Sequence, residues 1–223
     1  MALACLSGRE AESSPMPPAE AIVFVVDDDV SVRESLEHLI RHEGWQAETF
    51  ASAQAFLDRP RATVASCLVL DLSLPGLNGL ELQERVAAER TDMPIIFITG
   101  HADVPRAVRA MKAGAVEFLT KPFGDEALLD AIRKALERSA AALRQASALA
   151  TLRARYEALT PRERQVMVLV VSGLLNKQVG GHLGISEITV KAHRGRVMQK
   201  MQARSLAALV EMAGMLQLGT TRG

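Results

Sequence analysis

The sequence predicts an α/β domain built on a doubly wound five-stranded parallel sheet, followed by a smaller all-α domain. Three observations carry this reading. Over residues 22–136, short apolar runs alternate five times with helix-forming stretches, which lays parallel strands side by side with helices on both faces. Beyond Thr160, helical patterns recur without strands between them. A length of 223 residues exceeds the commonest domain size and leaves room for two cores.

The strand-like runs are IVFVV (22–26), QAETF (46–50), SCLVL (66–70), PIIFI (94–98) and VEFLT (116–120). Helices are expected between them at about 30–42, 53–58, 80–90 and 105–113, and from Asp125 onward. Residues 1–20, with Ser13, Ser14, Pro15, Pro17 and Pro18, read as a flexible leader, so the first domain is assigned to 21–136. No proline or glycine interrupts 125–160, a stretch rich in Ala, Leu and Arg, all strong helix formers. The last helix of the first domain is therefore expected to run on as a helical linker over 137–158. Ile132, Leu136, Leu143 and Leu152 make only an imperfect seam, which favours a partly solvated spacer over a coiled coil. Thr160, Pro161 and Glu163 together are a helix-start signal. The second domain, 159–223, then reads as helices at 161–171, 176–183, 187–201 and 205–218, punctuated by Gly173, Gly184 and Gly214.

Hydrophobic residues make up 48% of the chain and charged residues 23%, which supports packed cores and argues against a disordered protein. The formal net charge of zero hides an asymmetry. Residues 1–135 carry 13 Lys+Arg against 21 Asp+Glu, a net −8, while residues 136–223 carry 13 against 5, a net +8. A basic half is the electrostatic footprint of a nucleic-acid binder, and clustered acids suit a cation or phosphate-handling site. Cys5 and Cys67 are far apart and have no metal-ligand spacing, so neither a disulfide framework nor a zinc site is expected. A reducing, cytoplasmic setting fits. The apolar run 2–6 has no basic leader before it and no long apolar stretch follows, so no membrane partner is expected.

The acids cluster by position. Asp27, Asp28 and Asp29 follow the first strand, Asp71 the third, Thr99 the fourth and Lys121 the fifth. In a parallel sheet these ends share one edge, where ligands of open α/β sheets bind. Carboxylates gathered there repel one another and raise each other's pKa unless a divalent cation or Lys121 offsets the charge. Oxygen donors of this kind suit Mg²⁺. A carboxylate can attack phosphorus while Mg²⁺ and an ammonium neutralise the transferring phosphoryl group.

VVDDD, LDLSLPGLNG, FITGHAD and FLTKPF resemble the flavodoxin-like receiver domains of two-component response regulators. The resemblance implies Asp71 as the phosphoacceptor, with Asp28 and Asp71 as direct Mg²⁺ ligands, Asp27 as a water-mediated ligand and the backbone carbonyl of Ser73 completing the set. It implies that Lys121 pairs with the phosphoryl group, that the Thr99 hydroxyl moves to bond it, and that Phe118 rotates inward behind it. Asp29 is expected to face away as a helix cap. Ser73 and His101, two positions beyond Asp71 and Thr99, are expected to flank the path of the hydrolytic water.

In the basic half, two helices are joined by Leu183, Gly184, Ile185 and Ser186, and Lys191, His193, Arg194, Arg196 and Lys200 fall on the second. This is the layout of a helix-turn-helix, which sets its second helix in the DNA major groove. The segment resembles the four-helix LuxR-type DNA-binding domain, and the whole chain resembles the FixJ/NarL group, closest to FixJ-like and styrene-type regulators. That resemblance implies Lys191, Ala192 and Gly195 toward base edges, and Asn176, Lys177, Thr189, His193 and Arg194 toward phosphates. Gly195 replaces a longer side chain of related regulators, a loss for which Arg194 or Arg196 could compensate. Leu206, Leu209, Val210 and Ala213 would serve either dimerisation or the domain's own core. Gly180 and Gly181 replace the usual alanines, so that helix is either frayed or closely packed. The implied partners are a sensor histidine kinase, double-stranded promoter DNA, RNA polymerase and a second copy of the chain on phosphorylation.

The reading is therefore a phosphorylation-dependent transcriptional regulator and not an enzyme. The alternative is an Mg²⁺-dependent aspartyl-phosphate hydrolase or phosphotransferase. Such enzymes carry a second acid two residues after the nucleophile for acid–base work; here that position is Ser73. A one-component ligand-sensing DNA binder would leave the acid cluster unexplained.

Overall fold

The computed structural model describes residues 21–90, 92–100 and 104–218, so the leader assigned to residues 1–20 lies outside the described residues. Strands β1 (Ile22–Val26), β2 (Gln46–Phe50), β3 (Ser66–Asp71), β4 (Ile95–Thr99) and β5 (Glu117–Thr120) form one sheet. Its order is β2-β1-β3-β4-β5 and every neighbouring pair is parallel. Helices α1 (Val30–His42), α2 (Ala53–Leu57), α3 (Gly79–Glu89) and α4 (Val104–Lys112) make the crossovers, and α5 (Asp125–Glu157) follows β5. The expected doubly wound sheet is present.

Side chains on a strand alternate between faces, and β1, β3 and β4 are apolar on both. Val23, Val25, Cys67, Val69, Ile96 and Ile98 pack with Leu36 and Ile40 of α1 and Leu128, Ile132 and Leu136 of α5. Phe24, Leu68, Leu70 and Phe97 face the other way, against Phe56 of α2, Leu82 and Val86 of α3 and Ala110 of α4. Two-sided burial is why these strands read as continuous apolar runs. Ala110 is the only fully buried residue of α4, and its carbonyl accepts from the buried Gln83 side chain of α3 at 3.0 Å.

The chain divides into two compact units, Met1–Leu143 and Arg144–Gly223, and the division falls inside the 33-residue α5. Ile132 and Leu136 are buried in the sheet core, where Leu143 packs at its margin, and Leu152 is buried in the core of the second unit. The imperfect seam thus serves two separate cores.

The second unit holds α6 (Pro161–Val171), α7 (Asn176–Leu183), α8 (Glu187–Met201) and α9 (Leu206–Met215). Leu209 and Ala213 are buried, so of the two roles left open for this group these two serve the domain's own core, whereas Leu206 and Val210 are exposed. A Cβ on Gly180 would stand 2.7 Å from the Ile185 carbonyl oxygen, while one on Gly181 would meet nothing within 4 Å. The first glycine is therefore a close-packing position, and the second is not.

The Thr160–Glu163 signal is a complete capping box: the Thr160 hydroxyl accepts from the Glu163 amide, and Glu163 accepts from the Thr160 amide at 2.9 Å. Lys200 of α8 donates to the same Glu163 oxygen at 2.7 Å, and the glutamate is only 2% exposed. The Lys200 bond, followed by that from Thr160, holds the Glu163 carboxyl below its ordinary value of 4.5. A depressed folded-state pKa contributes stability that is present above the unfolded value and is lost as pH falls through the folded one. Glu163→Gln is expected to destabilise the second unit by about 1–3 kcal/mol at neutral pH and to make its loss of stability in acid shallower. Urea unfolding followed across the acid range checks both; an unchanged acid limb would rule out the role.

Candidate functional site

Strand register brings the acidic groups together. Val26 lies beside Leu70, Asp71 beside Ile98 and Thr99 beside Thr120, so the residues ending β1, β3, β4 and β5 share one edge. Carboxylate oxygens of Asp27, Asp28 and Asp71 all lie within 4.8 Å of one another. Asp27 is fully buried, Asp71 nearly so, and Asp28 is exposed. Lys121 donates to Asp27 Oδ2 at 2.7 Å and to Asp71 Oδ2 at 2.8 Å. It is carried there by the turn after β5, where its amide donates to the Thr99 carbonyl at 2.7 Å and the Lys121–Pro122 peptide is cis.

The run Asp27-Asp28-Asp29 separates into three roles. Asp27 is the buried partner of Lys121. Desolvation pushes its carboxyl up from the ordinary value, with Lys121 and the Asp29 amide opposing. Desolvation also works against the Lys121 ammonium, but the bonds it donates to Asp27 and Asp71 more than offset it, so its pKa is raised. Asp28 presents its carboxylate at the surface of the cluster. Asp29 caps α1, accepting from the Ser31 amide at 2.8 Å. Three oxygen donors so close suit a small hard cation, because like charges at this spacing need a counter-charge. The residues present therefore fit Mg²⁺.

Thr99 is buried at the end of β4. Phe118, half-buried on β5, has its ring 6.4 Å from that of Phe97 and packs at the margin of the second sheet core. Ser73 is exposed, and its amide donates to Asp71 Oδ1 at 2.8 Å. Both oxygens of Asp71 are thus held, one by Ser73 and one by Lys121. His101 lies outside the described residues.

Two groups that hold the pocket escaped the sequence reading. Arg33 on α1 donates to the carbonyls of Asp27 at 2.7 Å and Asp28 at 2.9 Å, fixing the acidic loop from behind. Gly79 opens α3, and a Cβ there would stand 2.7 Å from the Asp71 carbonyl oxygen and 3.1 Å from the Phe97 ring. Part of the signal for Gly79 was available: Asn78 before it and Glu81 after it form a capping box, which marks the helix start but not its packing against the Asp71 loop. Gly79→Ala is expected to cost about 1–3 kcal/mol of stability, as overpacking against backbone does, and to slow labelling of the pocket. Denaturant midpoints with labelling rates check it; wild-type values for both would remove the packing argument.

In the second unit, α7 ends at Gly184 in the left-handed conformation at φ 66°. α8 starts from Ser186, whose hydroxyl caps the Thr189 amide and bonds the Thr189 hydroxyl at 2.8 Å. Val190, Val197 and Met201 anchor α8 to the domain. Lys191, Ala192, Gly195 and Arg196 are exposed, while Thr189, His193 and Arg194 are half-buried at the flanks. Asn176 at the start of α7 accepts from Arg194 at 3.3 Å, and Lys177 beside it is exposed. His193 Nδ1 is buried without a hydrogen-bond partner among the described residues. Lys191 pairs with Glu187 at 3.2 Å on the surface, an exposed pair that costs little to break. Residues expected at base edges therefore occupy the outer face of α8, and those expected at phosphates border it.

Comparison with known proteins divides the chain in the same way. Residues 23–133 match the response regulator receiver domain, and residues 157–213 match the luxR family of bacterial regulatory proteins. Nodulation protein W of Bradyrhizobium diazoefficiens is 53% identical over 194 residues, covering 87% of this chain and 86% of its own. The transcriptional regulatory protein FixJ of Azorhizobium caulinodans is 46% identical over 196 residues, covering 88% and 93%. The solved structure of the response regulator StyR superposes with a TM-score of 0.79 at 50% identity, covering 87% of this chain and 98% of its own.

Proposed function

Because the chain belongs to the two-component response regulators of the FixJ/NarL group, with a receiver and a LuxR-type DNA-binding domain, we propose that Asp71 is the residue phosphorylated in it. The family makes the chain a phosphorylation-dependent transcriptional regulator, with a histidine kinase and promoter DNA as its partners. The observation that carries the assignment to Asp71 is its position: a nearly buried carboxylate at a strand end, within 4.8 Å of two further acids and bonded to Lys121.

In this reading Asp28, Asp71 and the Ser73 carbonyl would hold Mg²⁺ directly, and Asp27 would hold it through water. The bound ion would supply charge neutralisation at the transferring phosphoryl oxygens. An Asp71 oxygen attacks phosphorus, an O–P bond forms, and the bond from phosphorus to the donor breaks. Ser73 orients the carboxylate through its amide. Lys121 then exchanges its bond to Asp71 for one to the phosphoryl group, the Thr99 hydroxyl closes on the same group, and Phe118 follows into the space behind it. In the second unit, Lys191, Ala192, Gly195 and Arg196 face the bases, while Asn176, Lys177, Thr189, His193 and Arg194 hold the phosphate backbone. Once bound, the regulator acts on RNA polymerase at the promoter.

Incubating the full chain with acetyl phosphate, with and without Mg²⁺, tests the reading: a phosphoryl adduct on Asp71 that depends on the metal is expected. An adduct elsewhere would displace the assignment, and turnover of the donor far beyond one equivalent without a stable adduct would favour a phosphohydrolase. Lys121→Ala is expected to keep part of the labelling but lose at least about tenfold of the phosphorylation-induced gain in DNA affinity, since a charged hydrogen bond is worth roughly 1.5–3 kcal/mol. Fluorescence anisotropy on a bound duplex reads that gain; a wild-type gain in the variant would count against the relay through Lys121.

A further inference from the structure

At 80% exposure, Ile188 is the most exposed large apolar side chain among the described residues. It is the second residue of α8, and the fold asks nothing of it: the cap is made by Ser186, and the core contacts are made by Val190, Val197 and Met201. At about 100° per residue, Ile188, Ala192, Gly195 and Gln199 fall within a stripe roughly 60° wide, opposite Val190 and Val197. All four are exposed. Two of them carry almost no side chain, and a Cβ on Gly195 would meet nothing within 4 Å. Lys191 and Arg196 lie to either side of this stripe.

Such a face is built for close approach. In the reading given above, α8 enters the major groove, and this inference rests on that. Residues at the amino-terminal end of such a helix meet base edges. A helix bare at Ala192 and Gly195 comes nearer to the groove floor than one carrying long side chains there. The apolar feature that a base pair displays in the major groove is the thymine C5 methyl. We infer that Ile188 reads a thymine through that methyl and is a specificity-determining residue of this regulator, in place of the polar contact that a longer side chain at Gly195 would make.

The test uses the full chain and a library of randomised duplexes, enriched by wild type and by Ile188→Ser, with circular dichroism confirming that the exposed substitution leaves the fold intact. Wild type is expected to enrich thymine at one position of each half-site, and the variant to lose the preference there alone. On the enriched duplex, replacing that thymine by deoxyuracil removes only the methyl. Wild type should then bind roughly fourfold more weakly, the factor that one buried methylene carries, while Ile188→Ser should bind both duplexes alike. An equal penalty for both proteins, or an unchanged enrichment profile in the variant, overturns the inference while leaving DNA reading by α8 in place. Failure of wild type to enrich any sequence would overturn the DNA-reading assignment itself, and this inference with it.

Discussion

Asp71→Asn is expected to abolish phosphorylation by acetyl phosphate or by a cognate kinase, leaving DNA binding at the level of the unmodified protein. An amide is neither a nucleophile toward phosphorus nor an anionic ligand for a cation. The surroundings add a second reason. Asp71 Oδ1 accepts from the Ser73 amide at 2.8 Å and Oδ2 accepts from Lys121 at 2.8 Å, so both sides of the carboxylate face donors. An asparagine must present its NH₂ to one of them, and one of the two bonds becomes a donor–donor contact. Lys121 keeps its 2.7 Å bond to Asp27, so the pocket stays assembled and loss of labelling would report chemistry and not unfolding. Intact-mass measurement after acetyl phosphate treatment decides the matter. An undiminished adduct at the same pocket would end the assignment, and loss of the folded spectrum would shift the explanation to stability.

The sheet and the second-unit helices were legible because their signals are local. β1 and β2, together with α1, α6, α7 and α8, carry the bounds read from the apolar runs and caps, and periodicity with a capping residue is enough to set them. The grouping of acids was legible too, because strand ends of a parallel sheet share an edge. Within Asp27-Asp28-Asp29 the cap at Asp29 was legible, whereas the burial of Asp27 against Lys121, 94 residues away, was not, because it is a tertiary fact. Gly79 was missed for a similar reason, since its need for hydrogen in place of a side chain comes from the Asp71 carbonyl and the Phe97 ring. The spacing along α5 told that a face is covered but not by what; Leu136 and Leu152 are covered by different cores.

The communication between the two halves leads to the other large effect. Phosphorylation adds roughly −1.5 to −2 charge, and that charge is screened within about 8 Å at physiological ionic strength, so the field of the phosphoryl group cannot itself act on a second domain. A surface with two arrangements has to carry the signal, and the segment after Thr99 through β5 to Lys121 is what the pocket residues can move. Within it α4 buries Ala110 fully, and it exposes Val104, Val108 and Met111 by 71%, 45% and 44%. These are spaced i, i+4 and i+7, which is one face of a helix. An exposed apolar stripe along one face of a helix is suited to cover by a second copy of the same unit. Activation by phosphorylation or by beryllofluoride is therefore expected to convert monomers to dimers through the α4–β5 surface, placing two DNA-binding domains on half-sites about one helical turn apart. Doubling the phosphates neutralised should also steepen the dependence of binding on salt. Sedimentation of the activated protein beside a variant with charge reversals at Arg106 and Arg109, and beside Val108→Glu, reads the association directly. Both variants should accept the phosphoryl group normally, remain monomeric and bind promoter DNA at least about tenfold more weakly, because loss of the second domain removes the intramolecular advantage of the paired site. A wild type that stays monomeric when activated yet binds its promoter tightly would sink the dimer mechanism and leave release of an inhibitory contact between the two domains as the better account.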